Sequence, residues 1–201
     1  MISSMQILLT GHRGKLGTEL QKLKDFTLLR GDITRLSETQ PCDLLIHAAA
    51  YTNVAGAEQA PTICFETNVL GTFNLVNRYK NVPFVYISTE YAHNPIGIYA
   101  WTKKWAEEIV KSHPRHLIIR TLFKPNPWSL DVAYEDQYTQ GDYIDVIAPL
   151  ILSTIAGWDR ETSKSIYCGT GRKTMYELAK RTKPDVIPNK VINSFIPKDY
   201  Q

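Results

Sequence analysis

The chain has 201 residues, of which 43% are hydrophobic and 21% charged, and its formal net charge is +3. That length suits one domain with a substantial core, or one domain with a small appendage, and argues against two full domains. No apolar run approaches the ~20 residues of a membrane span, and the lysines and arginines are too scattered for a nucleic-acid-binding face. The three cysteines, Cys42, Cys64 and Cys168, stand far apart without metal-ligand spacing, which speaks against a disulfide framework or a zinc site and for a reducing cytoplasm. No metal site is expected. The start, MISSMQILLT, has no basic segment ahead of its apolar residues and reads as a buried strand rather than a signal peptide.

In chain order, short runs rich in Leu, Ile and Val predict buried strands at 5–10, 26–30, 43–48, 82–88 and 116–121. Helical spacing falls between them at 15–24, 61–80 and 97–112, the last stopping at His113-Pro114. Strands alternating with helices predict an α/β, Rossmann-like, doubly wound parallel sheet with helices on both faces. Beyond Thr121 the texture changes. KPNPWSLDVAYEDQYTQGD reads as loop, 143–156 and 173–182 as helices, and SIYC (165–168) as an edge strand. The tail from Thr182, with Pro184, Pro188 and Pro197, is expected to lie extended over the surface. The division expected is a dinucleotide-binding core over 1–123 and a reduced substrate lobe over 124–201, packed as one unit.

Three stretches carry chemistry. TGHRGKLG (10–17) leaves the first strand and enters the first helix, so backbone N–H groups at a helix start face an approaching phosphate with glycines giving it room. Taken alone, the same three glycines also fit a structural turn. In IGIYAWTKKWAEEI, Tyr99 and Lys103 are four apart and project from one helix face, where an ammonium beside a phenol is expected to lower its pKa. A surface Tyr and Lys is the alternative. Thr89, in STEY at the end of the fourth strand, stands at the sheet edge where open α/β folds bind ligands.

Together these stretches resemble the extended short-chain dehydrogenase/reductase family, and within it the dTDP-4-dehydrorhamnose reductase branch. TGHRGKLG resembles the family's TGxxGxxG loop, GDIT (31–34) its turn by the adenine, and HAAAYTNVAGAEQAP (47–61) the stretch lining the cofactor. NVLGT (68–72), STEY (88–91) and YAWTK (99–103) are similar to its NxxGT, STDY and YxxxK, and 134–151 and 165–180 to stretches of its C-terminal part. The resemblance implies a reductase of a 4-keto-6-deoxy nucleotide sugar, with Tyr99 as proton donor, Lys103 holding the nicotinamide ribose and Thr89 orienting the keto group. It implies cofactor contacts from Gly11, His12, Arg13, Gly14, Lys15, Leu16, Gly17, Arg30, Asp32, Ile33, Ala48, Ala49, Ala50, Tyr51, Asn68, Tyr99 and Lys103. Arg13 and Arg30 favour the 2′-phosphate of NADPH, whereas Asp32 would suit NADH. His12 and His93 are expected to be exposed or structural.

The departures fall on the substrate side and, through an abbreviated second-strand region, on the adenine side. Thr89 and Tyr99 are separated by only a short AHNPIGI-containing stretch, and KPNPWSLDVA is all that links RTLF to YEDQ, where the family has longer insertions. A compact reductase with an open site, covered by Trp101, Trp105 or Trp128, is one outcome. The others are a regulatory or scaffolding subunit that binds cofactor without turnover, and an epimerase or dehydratase; a dehydratase needs an acid/base pair beside the threonine, and Glu90 follows Thr89, although STDY places an acid there in reductases too. No nucleic-acid or membrane partner is expected, and helices 61–80 and 97–112 are where the family forms homodimers.

Overall fold

The computed structural model describes residues 5–200; the first four residues of the start segment and Gln201 lie outside the described residues. The core runs β1 (Ile7–Thr10), α1 (Lys15–Leu23), β2 (Thr27–Leu28), β3 (Leu44–His47), α2 (Val54–Gln59), α3 (Pro61–Phe65), α4 (Gly71–Arg78), β4 (Phe84–Thr89), α5 (Gly97–Lys111) and β5 (His116–Thr121). It continues through β6 (Phe123–Lys124), β7 (Val132–Tyr134), β8 (Tyr138–Thr139), β9 (Asp142–Tyr143), α6 (Ile144–Ala156), β10 (Lys164–Tyr167), β11 (Lys173–Thr174), α7 (Met175–Lys180) and β12 (Ile187–Asn189).

Six strands form one parallel sheet in the order β2-β1-β3-β4-β5-β10. Strand alternation feeds two cores. Ile7, Leu9, Leu44, Ile46, Val85, Ile87, Leu117 and Ile119 face α1 and α6, while Leu8, Leu45, Phe84, Tyr86 and Ile118 face α4 and α5. Burial on both faces is why these strands read as continuous apolar runs rather than alternating ones. The chain leaves β1 toward β2 and returns to β3 on the other side of β1. That reversal opens a crevice beyond the C-terminal ends of β1 and β3, the usual ligand position in such sheets.

Three expectations change. The helix expected over 61–80 is split by a π-helical turn, Glu66–Leu70, and a separate short helix, α2, precedes it. The stretch 124–142 is not plain loop: it contributes to β6, β7, β8 and β9, too short to show a period in sequence; β6 pairs with β9, while β7 and β8 pair with β12 and β11 further along the chain. The division at residue 123 is crossed as well, because Ile147, Ala148, Ile151 and Ile155 of α6 enter the core beside α1 and β10 is the sixth strand of the sheet. What remains of the lobe has its own small core of Trp128, Ala133, Tyr143, Met175, Leu178, Ala179 and Val186. The tail is extended, yet it is tied down, with β12 parallel to β7 and with Val191 and Tyr200 buried.

Candidate active site

The glycine loop is the floor of the site. Gly11 follows β1 with φ +70°, and a Cβ there would come within 2.5 Å of the Ala49 backbone nitrogen, so the turn after β1 lies directly on the turn after β3. Gly17 is placed even more tightly: a Cβ would stand 2.2 Å from the Gly11 carbonyl oxygen, and glycine therefore lets α1 press its first turn against the loop. The Gly14 amide donates to the Gly11 carbonyl at 2.9 Å, and the Gln21 amide fastens the loop by donating to the carbonyls of His12 at 2.6 Å and Gly17 at 2.9 Å. No side chain caps α1. Its first N–H groups lack intrahelical partners, and together with the positive end of the helix dipole they suit an anion. These features fit the diphosphate of a dinucleotide.

From this floor a cleft of about 2090 Å³ extends between the core and the lobe. Of the cofactor residues expected, Gly11, His12, Arg13, Gly14, Lys15, Leu16, Gly17, Arg30, Asp32, Ile33, Ala48, Ala49 and Ala50 line it, as do Thr89, Tyr99 and Lys103. Leu16 offers its backbone, since its side chain belongs to the core. Tyr51 and Asn68 are exceptions. The Asn68 side chain is buried in the π turn, accepts from the Tyr51 amide at 2.8 Å and donates to the Thr102 hydroxyl at 3.0 Å. It holds the turn after β3 against α5, behind the wall of the cleft and not on its surface.

Beyond β2, Asp32 accepts from the amide and hydroxyl of Thr34 at 2.8 and 2.9 Å, and these bonds hold its carboxyl below the usual range. The carboxylate is committed to its own turn. The side chains of Arg13 and Arg30, by contrast, are exposed and make no ion pair among the described residues.

The opposite wall holds the catalytic candidates. Thr89 ends β4; it lines the cleft together with Tyr99, and its hydroxyl accepts from the Tyr91 amide at 3.3 Å. Lys103, one turn further along α5, is 2% exposed; its ammonium donates to the Ile87 carbonyl at 2.8 Å and lies 4.2 Å from the centre of the Tyr86 ring. Here the expected electrostatics are corrected. Burial pushes the Tyr99 phenol up to about 12, against the Thr89 hydroxyl that lowers it, and burial brings Lys103 down to about 7, against the pull of Glu107 and Cys64. Two groups four apart share a helix face, but the ammonium is turned inward to a strand carbonyl and does not lower the phenol.

Several further residues find their places. Glu90 is 1% exposed and accepts from the Thr139 hydroxyl at 2.6 Å and the Gln140 amide at 2.9 Å, which ties β4 to the lobe and leaves no free acid beside Thr89. Trp101 and Trp105 lie on the outer face of α5, 44% and 46% exposed, and cover no substrate. Trp128 does reach the cleft, but most of it is packed into the lobe. His12 lines the cleft beside the loop, and His93, exposed, shares a 2.7 Å hydrogen bond with the Tyr167 hydroxyl.

Two arrangements escaped the sequence reading. Glu107 takes paired bonds from Arg120 at 2.9 and 2.6 Å and a third from the Ser88 hydroxyl at 2.6 Å, bracing β4, β5 and α5 behind Thr89. An arginine at the end of the apolar strand HLIIRT was the available signal. Lys124 lines the cleft from the lobe side, marked in sequence only by a cation directly after the buried strand. Among the described residues, no helix is long and apolar enough to cross a membrane, and no cluster of His, Cys, Asp and Glu could hold a metal ion.

Residues 7–122 match the family described as "Polysaccharide biosynthesis protein". Among solved structures, the chain is similar to dTDP-4-dehydrorhamnose reductase from Bacillus anthracis in complex with NADP, with TM-score 0.84 and 23% identity over 98% of this chain and 89% of that one. A dTDP-4-dehydrorhamnose reductase from Clostridium acetobutylicum gives 0.78 and 24% over 98% and 88%. UDP-glucuronic acid 4-epimerase from Bacillus cereus, in complex with UDP-glucuronic acid and NAD, gives 0.78 and 16% over 96% and 88%. At these identities the likeness establishes the Rossmann-like fold.

Proposed function

The chain belongs to the family described as "Polysaccharide biosynthesis protein", and on that premise we propose that it reduces the keto group of a 4-keto-6-deoxy nucleotide sugar with NADPH, NADH being the alternative cofactor. The observation that carries this reading is that Thr89, Tyr99 and Lys103 line one cleft with the glycine loop that forms its floor. The similar structures from Bacillus anthracis and Bacillus cereus, described with NADP and with NAD plus a UDP-sugar, support the same ligand classes.

The loop 11–17 and the start of α1 would hold the cofactor diphosphate, Arg13 and Arg30 its 2′-phosphate, and Lys103 its nicotinamide ribose. The reduced nicotinamide, when bound, supplies a hydride to the carbonyl carbon. Tyr99, with its pKa near 12, keeps its proton throughout the neutral range and gives it to the carbonyl oxygen. The Thr89 hydroxyl, which lines the same cleft as Tyr99, orients that oxygen and steadies the phenolate that remains. A dehydratase would need a free acid here, and Glu90 is already occupied by Thr139 and Gln140.

A second copy of the chain is the partner proposed for the apolar outer face of the helices that run from Pro61 to Lys111. Ile63, Phe65, Leu70, Phe73, Trp101 and Trp105 are each 40% to 56% exposed there. Phe65 and Trp101 both pack on Trp105, with ring centres 6.0 and 5.9 Å away, so the exposed apolar side chains cluster there, and a two-fold pairing lets each copy cover the other. The three cysteines are free, in keeping with a cytoplasmic setting. Incubation with NADPH and a panel of 4-keto-6-deoxy nucleotide sugars tests the activity. Cofactor oxidation supports it; cofactor binding without turnover on any sugar replaces it by the regulatory-subunit reading.

A further inference from the structure

We propose that Lys124 and Lys15 form a two-lysine clamp for a diphosphate, closing on it from opposite walls of the cleft. The inference rests on the nucleotide-binding reading of the cleft and assigns a ligand-binding role to a lobe residue outside the glycine loop.

The argument starts from charge. The cleft is lined by two carboxylates, Glu19 and Asp32, and both are occupied, Glu19 by Lys22 at 2.7 Å and Asp32 by Thr34. Its lining also carries Arg13, Lys15, Arg30 and Lys124, none of which has an acidic partner among the described residues. The surplus along the cleft is positive.

Lys124 is the least comfortable of these cations. It sits on β6, which leaves the core two residues after β5 and is held to β9 with Lys124 opposite Tyr143. The side chain is partly buried, and its ammonium lies 5.7 Å from the centre of the Trp128 ring without a hydrogen-bond acceptor among the described residues. Burial and the charge of Lys15 both hold its pKa below the ordinary lysine value. A desolvated ammonium without a counter-ion is costly, and an anion placed between it and Lys15 offsets the desolvation by pairing and screens the repulsion between the two cations.

The shape of the anion follows from the same residues. Lys15 is the first residue of α1, beside the uncapped N–H groups and the loop where glycine admits a phosphate. Lys124 approaches from the lobe. Two cations on facing walls, with backbone donors beneath, match a ligand carrying two adjacent negative charges, and binding it would join the lobe to the core. Arg13 and Arg30 remain for a separate phosphate.

The test uses the full chain and calorimetric binding of three probes: NADP, dTDP and inorganic pyrophosphate. Lys124→Met keeps the length of the side chain and removes its charge; Lys124→Arg restores the charge. The expected result is a dissociation constant about tenfold weaker for Lys124→Met with whichever probes bind, a shallower dependence on salt, and recovery in Lys124→Arg. Without ligand, Lys124→Met should melt no lower than the unchanged protein, because it removes an uncompensated buried charge. Loss confined to NADP assigns the clamp to the cofactor, and loss confined to dTDP assigns it to the nucleotide sugar. Unchanged binding of every probe that binds overturns the clamp and leaves the cofactor reading standing. Failure of NADP alone to bind, with dTDP or pyrophosphate still dependent on Lys124, overturns the cofactor reading and leaves the clamp; binding of none overturns both.

Discussion

The two walls of the cleft are built by different means. The core wall is made of backbone: glycines that let the turns after β1 and β3 touch, helix N–H groups, and strand ends held in a continuous parallel sheet. The lobe wall is held from behind by bonds that reach over long sequence distances, Glu90 to Thr139 and Gln140, Lys173 to the carbonyl of Gly141, and the Trp128 amide to the Thr182 hydroxyl. One wall tolerates no added atom, while the other tolerates atoms but not the loss of a partner. The contrast teaches where each wall can fail.

The largest effect should come from the core wall. Gly17→Ala drives a Cβ into the Gly11 carbonyl, where only backbone can yield, and should lower stability by about 3 kcal/mol, read by denaturant unfolding. A loss below about 1 kcal/mol would mean that the loop is looser than described. Next, on the lobe wall, Glu90→Ala strands two buried donors, and about 2 kcal/mol of destabilisation with faster proteolysis of the lobe is expected. If proteolysis of the lobe is unchanged, Glu90 is not its tie.

A third experiment probes the seam between the walls through pH. Lys103 has a folded pKa of about 7 against an ordinary 10.5, so the unfolded chain binds more protons between these values. Stability from this residue therefore rises with pH across that window and is lost as pH falls through it. Melting temperatures followed from pH 7 to 9 should rise less steeply in Lys103→Met; an unchanged slope would show that the ammonium is better solvated than its 2% exposure implies. The smallest effect concerns cofactor choice. With Asp32 committed to Thr34, Arg13→Ala should cut the preference for NADPH over NADH by about tenfold in titrations, through weaker NADPH binding. An equal loss for both cofactors would place Arg13 at the shared diphosphate instead.

The same contrast explains what could be read in advance. Strands buried on both faces are apolar runs, and phosphate loops need glycine, so β1 to β5, the loop 11–17 and the residues Thr89, Tyr99 and Lys103 were all visible in sequence. Local spacing says which residues share a helix face, not where their ends point. That is why Lys103 was expected to tune Tyr99 and is found on the Ile87 carbonyl. The motif position of Asn68 suggested a cofactor contact, but the π turn that carries it inward has no sequence signature as plain as a glycine. On the lobe side, strands of two or three residues hold no period, and α6 gave no sign that it packs beside α1. Lys124 looked like the first residue of a loop because its neighbours in space are far away in sequence.

The central claim is that Tyr99 protonates a nucleotide-sugar carbonyl in a cleft that binds NADPH. Its most direct measurement is NADPH consumption with a 4-keto-6-deoxy nucleotide sugar by the unchanged protein and by Tyr99→Phe, with NADPH binding measured for both. The account predicts turnover that falls by roughly a hundredfold or more in Tyr99→Phe while binding stays within about twofold. Turnover that survives in Tyr99→Phe would contradict it.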